Sequence, residues 1–358
     1  MGEKNIIIID DSALMRRVIS DIIESDKRFR LIGTAINGLA GLIMLQENVE
    51  KVDVVLLDIN MPMMNGIEIL EEIKRRNIKT TVIIVSTIAT KEAKETIRAL
   101  ELGAFDFVTK PDSFEELRGN VFSYKLLDCL SIATKLKEEE PYKVIEKKQV
   151  ERPMLKKLKQ VVDRGSNRLV AIACSTGGPK ALHTIIPGIP EDLNAGIVIV
   201  QHMPEGFTKS LADRLNSLSR ISVKEAEDGD ILMKGNAYLA KGGMHLRVKK
   251  DEEGRHILKL YKEEPRSGLL PCADVLYESL VDSDYDEITC VVLTGMGSDG
   301  SAGINMLSKN KNVYVIAQDK ETSIVYGMPK MIKRTGLVNE VVSLDGVSNA
   351  IVKNVGVH

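Results

Sequence analysis

Between residues 6 and 110, short apolar runs alternate with helical patterns, and this alternation limits the fold more than any other feature of the chain. The runs at 6–9, 31–35, 52–57, 82–85 and 105–109 are continuously apolar, or nearly so. Such strands are buried on both faces, as in a parallel sheet covered by helices. Helical spacing follows the first four, over 13–23, 38–47, 67–75 and 91–102. The alternation predicts a doubly wound α/β domain whose right-handed crossovers gather the strand C-termini at one edge.

Asp10, Asp11, Asp58, Ser86 and Lys110 fall at that edge. Singly, each acid is as readily a helix cap or a solvated loop residue. Together, three carboxylates repel one another unless a cation sits among them, and hard oxygen ligands point to Mg²⁺. A carboxylate beside such a metal can attack a phosphoryl group while an ammonium neutralises the transferred oxygens. Asp58, alone at the end of the central strand, is the expected acceptor. Asp10 and Asp11 would hold the metal, with the Asn60 carbonyl completing its shell. Ser86 and Lys110 would meet the phosphoryl oxygens.

The chain has 358 residues, which is long for one core and predicts two domains. Residues 113–136 read as a helix, and 137–168 as a polar, charged linker with a helical stretch at 154–162. The net charge of −2 argues against a general nucleic-acid binder, and no apolar run reaches the ~20 residues that span a bilayer. Cys129, Cys174, Cys272 and Cys290 lack paired spacing, so reduced thiols in a cytoplasmic protein are expected.

The second half repeats the strand–helix logic. Strands are expected at 169–173, 197–200, 290–293 and 313–317, and helices at 180–186, 207–218, 273–281, 302–307, 329–333 and after Gly346. Between 221 and 260, glycine-containing turn signals separate short apolar runs and predict hairpins or an antiparallel extension. Three expected strands run into Ser175, His202 and Asp299. Serine is unreactive at its own pKa; an imidazole can take its proton near neutral pH, and a carboxylate can fix the ring. Other readings remain open for each residue. Ser175 before Gly177-Gly178 is also a cap and a tight turn, His202 a satisfied histidine at a helix start, and Asp299 a turn residue. The loop 295–300 could cradle a phosphate, though no Walker lysine follows. Cys174 is a competing nucleophile that strand alternation points away from Ser175.

The motifs IIIIDDS, LLDINMPMMNG, VST and FVTKP, over residues 4–122, resemble a CheY-type receiver domain. That resemblance implies phosphorylation of Asp58 by a histidine kinase, a switch pair of Ser86 and Phe107, and a cis peptide before Pro111. From 168 to the C-terminus, ACSTGGP, QHMPEGF, VKEAEDGD and LTGMGSDG resemble the catalytic domain of the CheB family of protein-glutamate methylesterases. The family implies a Ser175–His202–Asp299 triad, hydrolysis of glutamate methyl esters on methyl-accepting chemoreceptors, and deamidation of receptor glutamines. It implies oxyanion donation from the Met296 N–H, with Thr176 orienting His202 or adding a donor. No cofactor is expected in the esterase site, and neither nucleic acid nor direct membrane insertion is expected. Two positions depart from the family. Ala173-Cys174 replaces the usual Gly-Ala before the serine, and the segment from Pro265 to Asp274 only partly matches the family's His-Arg-Pro-Ser-Val-Asp. A phospho-switch that docks receptors through a degenerate esterase domain is the alternative.

Overall fold

The computed structural model describes residues 2–111, 113, 116, 119–135 and 167–357. In the first domain β1 (Lys4–Ile9), α1 (Ala13–Glu24), β2 (Phe29–Ala35), α2 (Gly38–Glu47), β3 (Val54–Leu57), α3 (Gly66–Arg75), β4 (Thr81–Ser86), α4 (Thr90–Leu102) and β5 (Asp106–Thr109) alternate as the apolar runs predict. The strands form one parallel sheet in the order β2-β1-β3-β4-β5. Order reverses between β1 and β3, which opens a crevice beyond their C-terminal ends. Local chemistry starts the helices that face this edge. The Ser12 side chain accepts from the Met15 N–H, and Asn65 and Glu68 form a reciprocal capping box on α3.

The next helix, α5 (Asn120–Ala133), packs Phe122, Leu126 and Leu130 against the same domain. It does not run unbroken from Ser113. Gly119 is extended, with φ −74° and ψ 151°, and Val121, read from sequence as an apolar contact, is 65% exposed. The expected linker helix at 154–162 lies outside the described residues.

The second domain contains β6 (Arg168–Cys174), α6 (Gly178–Ile185), β7 (Ala195–Gln201), α7 (Phe207–Leu218), β8 (Ser222–Glu225), β9 (Asn236–Leu239), β10 (His245–Lys250) and β11 (His256–Tyr261). It continues with α8 (Ala273–Ser279), β12 (Glu287–Val292), α9 (Ser301–Leu307), β13 (Val313–Gln318), α10 (Met328–Arg334), β14 (Glu340–Val342) and α11 (Val347–Val355). Seven strands pair in the order β14-β13-β12-β6-β7-β9-β8, all parallel. The antiparallel extension is therefore only β10–β11. Strands β8 and β9 extend the main sheet instead, because the 226–235 connection carries the chain back to start β9 beside the start of β8. Glycine-rich turn signals mark where a chain bends, not which way the next strand runs.

The two domains share an interface. Helix α4 lies against α6 and α7, and the Phe107 and Phe207 ring centroids are 4.5 Å apart, tilted by 34°. Glu101 on α4 accepts from Arg214 on α7 at 2.7 and 3.0 Å, and its Oε1 lies 2.8 Å from His183 Nε2.

Candidate active site and phosphoacceptor site

Register levels the three central strands of the second sheet. Ala173 pairs with Val200 on one side and Val292 on the other. The chain leaves all three strands at the same height, so Ser175, His202 and the loop holding Asp299 meet at one edge. Strand β6 starts the winding in both directions, so this edge is the switch point where open α/β sheets place ligands.

After β6 the chain turns sharply. The Ser175 N–H donates to the Thr294 carbonyl at 3.0 Å, and the Ser175 carbonyl accepts from Gly178 at 2.7 Å. Gly177 has φ +78°, and a Cβ there would lie 2.8 Å from Ile324, so backbone conformation and space both demand glycine. Cys174 fits as the last strand residue, fully buried, its thiol 3.7 Å from the Val200 carbonyl. Burial pushes that thiol far above its usual pKa, so the thiolate a cysteine nucleophile needs is suppressed.

His202 Nε2 lies 2.7 Å from Asp299 Oδ2. Asp299 is 7% exposed and also accepts from the N–H groups of Ala273 (2.6 Å), Asp274 (2.9 Å) and Gly300 (3.0 Å), and from the Cys272 thiol (3.1 Å). Two of those N–H groups open α8, so the carboxylate also sits at a helix start. Burial alone would raise the Asp299 pKa. The His202 hydrogen bond and charge and the backbone donors outweigh it, holding the carboxyl well below its usual range. With Nε2 engaged, Nδ1 is the ring nitrogen left for a serine proton. No Ser175–His202 hydrogen bond forms among the described residues, as is common before substrate binds.

Thr176 also reaches the first domain. Its hydroxyl meets the Asp106 carboxylate of the first domain, and its carbonyl accepts from Thr294 Oγ1 at 3.0 Å. Burial pushes Asp106 up to about 6, against the Thr176 and Phe107 hydrogen bonds. A cleft of about 330 Å³ between the domains reaches Thr176 and His202 and is bordered by Phe107, Tyr124 and Leu269.

In the first domain, Lys110 Nζ lies 2.8 Å from Asp10 Oδ2 and 2.9 Å from Asp58 Oδ2. Carboxylate oxygens of Asp10, Asp11 and Asp58 fall within 4.8 Å of one another. This set of hard donors, two buried and one exposed, fits a divalent cation. The Asn60 side chain lies beside Glu92, while Ser86 is fully buried and accepts from Thr96 Oγ1 at 2.9 Å. Among the described residues, the one cis peptide precedes Pro271, not Pro111.

Burial pushes the Asp58 carboxyl up to about 6, opposed by Lys110. A folded pKa above the unfolded value means the cost of the buried charge is present above pH 6 and vanishes below about 4. Metal-free Asp58→Asn is therefore expected to melt above wild type at pH 7.5, by at most about 3 kcal/mol, with the gap closing as pH falls towards 4. Thermal unfolding in EDTA across that range checks this; a gap that widens on acidification would contradict it.

A receiver-type acid–lysine crevice joined to an α/β domain with a serine–histidine–aspartate edge defines a response regulator with a hydrolase output. The chain belongs to the CheB methylesterase family: the profile of that description matches residues 170–351, and that of the response regulator receiver domain matches 6–122. Protein-glutamate methylesterase/protein-glutamine glutaminase 1 of Syntrophomonas wolfei is 39% identical over 363 residues, covering 98% of this chain and 99% of its own. The Bacillus subtilis protein-glutamate methylesterase/protein-glutamine glutaminase is 40% identical over 351 residues, 97% of each chain. The crystal structure of the Thermotoga maritima CheB methylesterase catalytic domain is 40% identical with a TM-score of 0.51, over 53% of this chain and 100% of that one.

Proposed function

We propose that the chain hydrolyses glutamate methyl esters on methyl-accepting chemoreceptors, and deamidates receptor glutamines, with phosphorylation of Asp58 as the trigger. The His202–Asp299 contact of 2.7 Å, at the edge that carries Ser175, supports this reading best. Ser175 Oγ attacks the ester carbonyl carbon as its proton passes to His202 Nδ1. Asp299 holds the ring and stabilises the imidazolium. The oxyanion accepts from the N–H groups of Met296 and Thr176. Collapse expels methanol, which takes the His202 proton. Water attacks the acyl-enzyme with His202 again as base, releasing glutamate and Ser175. For glutamine the leaving group is ammonia.

In the receiver, Asp10, Asp11, Asp58 and the Asn60 carbonyl would hold Mg²⁺, which when bound supplies positive charge to the phosphoryl oxygens. Lys110 neutralises the same oxygens, and Ser86 and Phe107 report the change to the interface. The phosphodonor is a chemotaxis histidine kinase. Domain limits of 4–122, 123–167 and 168–358 follow the motifs. A cytoplasmic site of action suits the reduced thiols, and among the described residues no helix is long and apolar enough to cross a membrane.

Methanol release from methylated receptor, with and without a phosphodonor, tests the reading. Release that rises on phosphorylation is expected. No release from the phosphorylated protein would favour a receptor-docking switch with a degenerate esterase domain.

A further inference from the structure

We infer that Gln201 is a positioning residue for the esterase, tying the nucleophile loop to the base loop through one buried amide. It is the last residue of β7 and is 2% exposed. Its Nε2 donates to the Ser175 carbonyl at 3.0 Å and to the His202 carbonyl at 3.2 Å. The main chains of the proposed nucleophile and base are thus held by the same –NH₂ group.

The rest of the side chain shows that this tie carries a cost. Among the described residues Gln201 Oε1 is buried without a hydrogen-bond partner, which is destabilising for an amide. A Cβ on Gly178 would lie 1.9 Å from that oxygen, so the amide also requires glycine at the next turn. A methionine would fill the same volume without the orphaned acceptor. What it could not do is donate.

The donation has a directional consequence. A trans peptide points its N–H opposite its C=O. Drawing the Ser175 carbonyl towards Gln201 turns the Thr176 N–H the other way. Thr294 Oγ1 does the same for the next peptide by holding the Thr176 carbonyl at 3.0 Å, which turns the Gly177 N–H. Among the described residues neither N–H donates to a protein acceptor. Gln201 therefore fixes both the serine backbone and the orientation of a neighbouring oxyanion donor. This inference rests on Ser175 being the nucleophile.

The test uses the full-length phosphorylated protein with methylated receptor. Gln201→Met is expected to keep KM within about twofold and the melting temperature within a few degrees, while kcat falls about 10- to 100-fold. Gln201→Glu, which loses its donors when ionised and recovers one when protonated, is expected to close part of its kcat gap to wild type as pH is lowered. A residue that only filled space would leave kcat intact in Gln201→Met and show no pH-dependent recovery in Gln201→Glu. Either result overturns the positioning role. Ser175→Ala run in parallel separates the two readings. Activity kept there overturns the nucleophile and the positioning role together, whereas activity lost there but kept in Gln201→Met overturns the positioning role alone.

Discussion

Ser175→Ala is expected to lower methanol release by about four orders of magnitude or more, with KM for methylated receptor nearly unchanged. The hydroxyl is absent from ground-state binding and present in the covalent step, so its loss falls on kcat. Adding His202→Ala to Ser175→Ala is expected to cost little more, because the two side chains act as a unit. Cys174→Ala is the contrasting case. The thiol is buried, far from ionising, and turned towards the Val200 carbonyl, so its removal should leave kcat within a few-fold of wild type. A small loss of stability is expected from the vacated volume. Steady-state kinetics on the three variants decides the matter: a Ser175→Ala protein as active as wild type would remove serine from the mechanism.

Both sheets were legible because continuous apolar runs mark strands buried on two faces, and polar residues at their ends mark the functional edge. Asp10, Asp58 and Lys110, and His202 and Asp299, meet as their positions predict. Other elements were not legible for physical reasons. Strand direction in β8 and β9 is set by how the 226–235 connection folds back, which a turn signal does not encode. β14 has only three residues, too few for a pattern. Gln201, Cys272 and Thr294 make hydrogen bonds to residues far off in the chain, and no local spacing reports such bonds. Thr176 was read within its own domain, whereas Asp106 of the receiver takes its hydroxyl. A contact between domains leaves no periodicity in either.

That contact frames the second large effect. If the docked receiver limits access to Ser175, then Glu101→Arg should raise the activity of the unphosphorylated protein about tenfold. Glu101 accepts from Arg214, so reversing its charge removes that attraction and puts two guanidinium groups against each other, while burial holds the neighbouring His183 imidazole below its usual pKa and leaves Arg214 as the charged partner. Arg214 is half exposed, so solvent screens each contact and a single ion pair there is worth little. The reversal needs to shift docking by only about 1.4 kcal/mol for a tenfold gain in the open population. The ceiling is the phosphorylated wild-type rate, because both routes lead to the same open state. Asp58→Asn should stay at the basal rate with or without phosphodonor, and Glu101→Arg in the Asp58→Asn background should keep its gain. That ordering places the interface downstream of the phosphoacceptor. A double variant that fell back to the basal rate would mean phosphorylation acts on the catalytic domain by a route other than undocking α4 from α7.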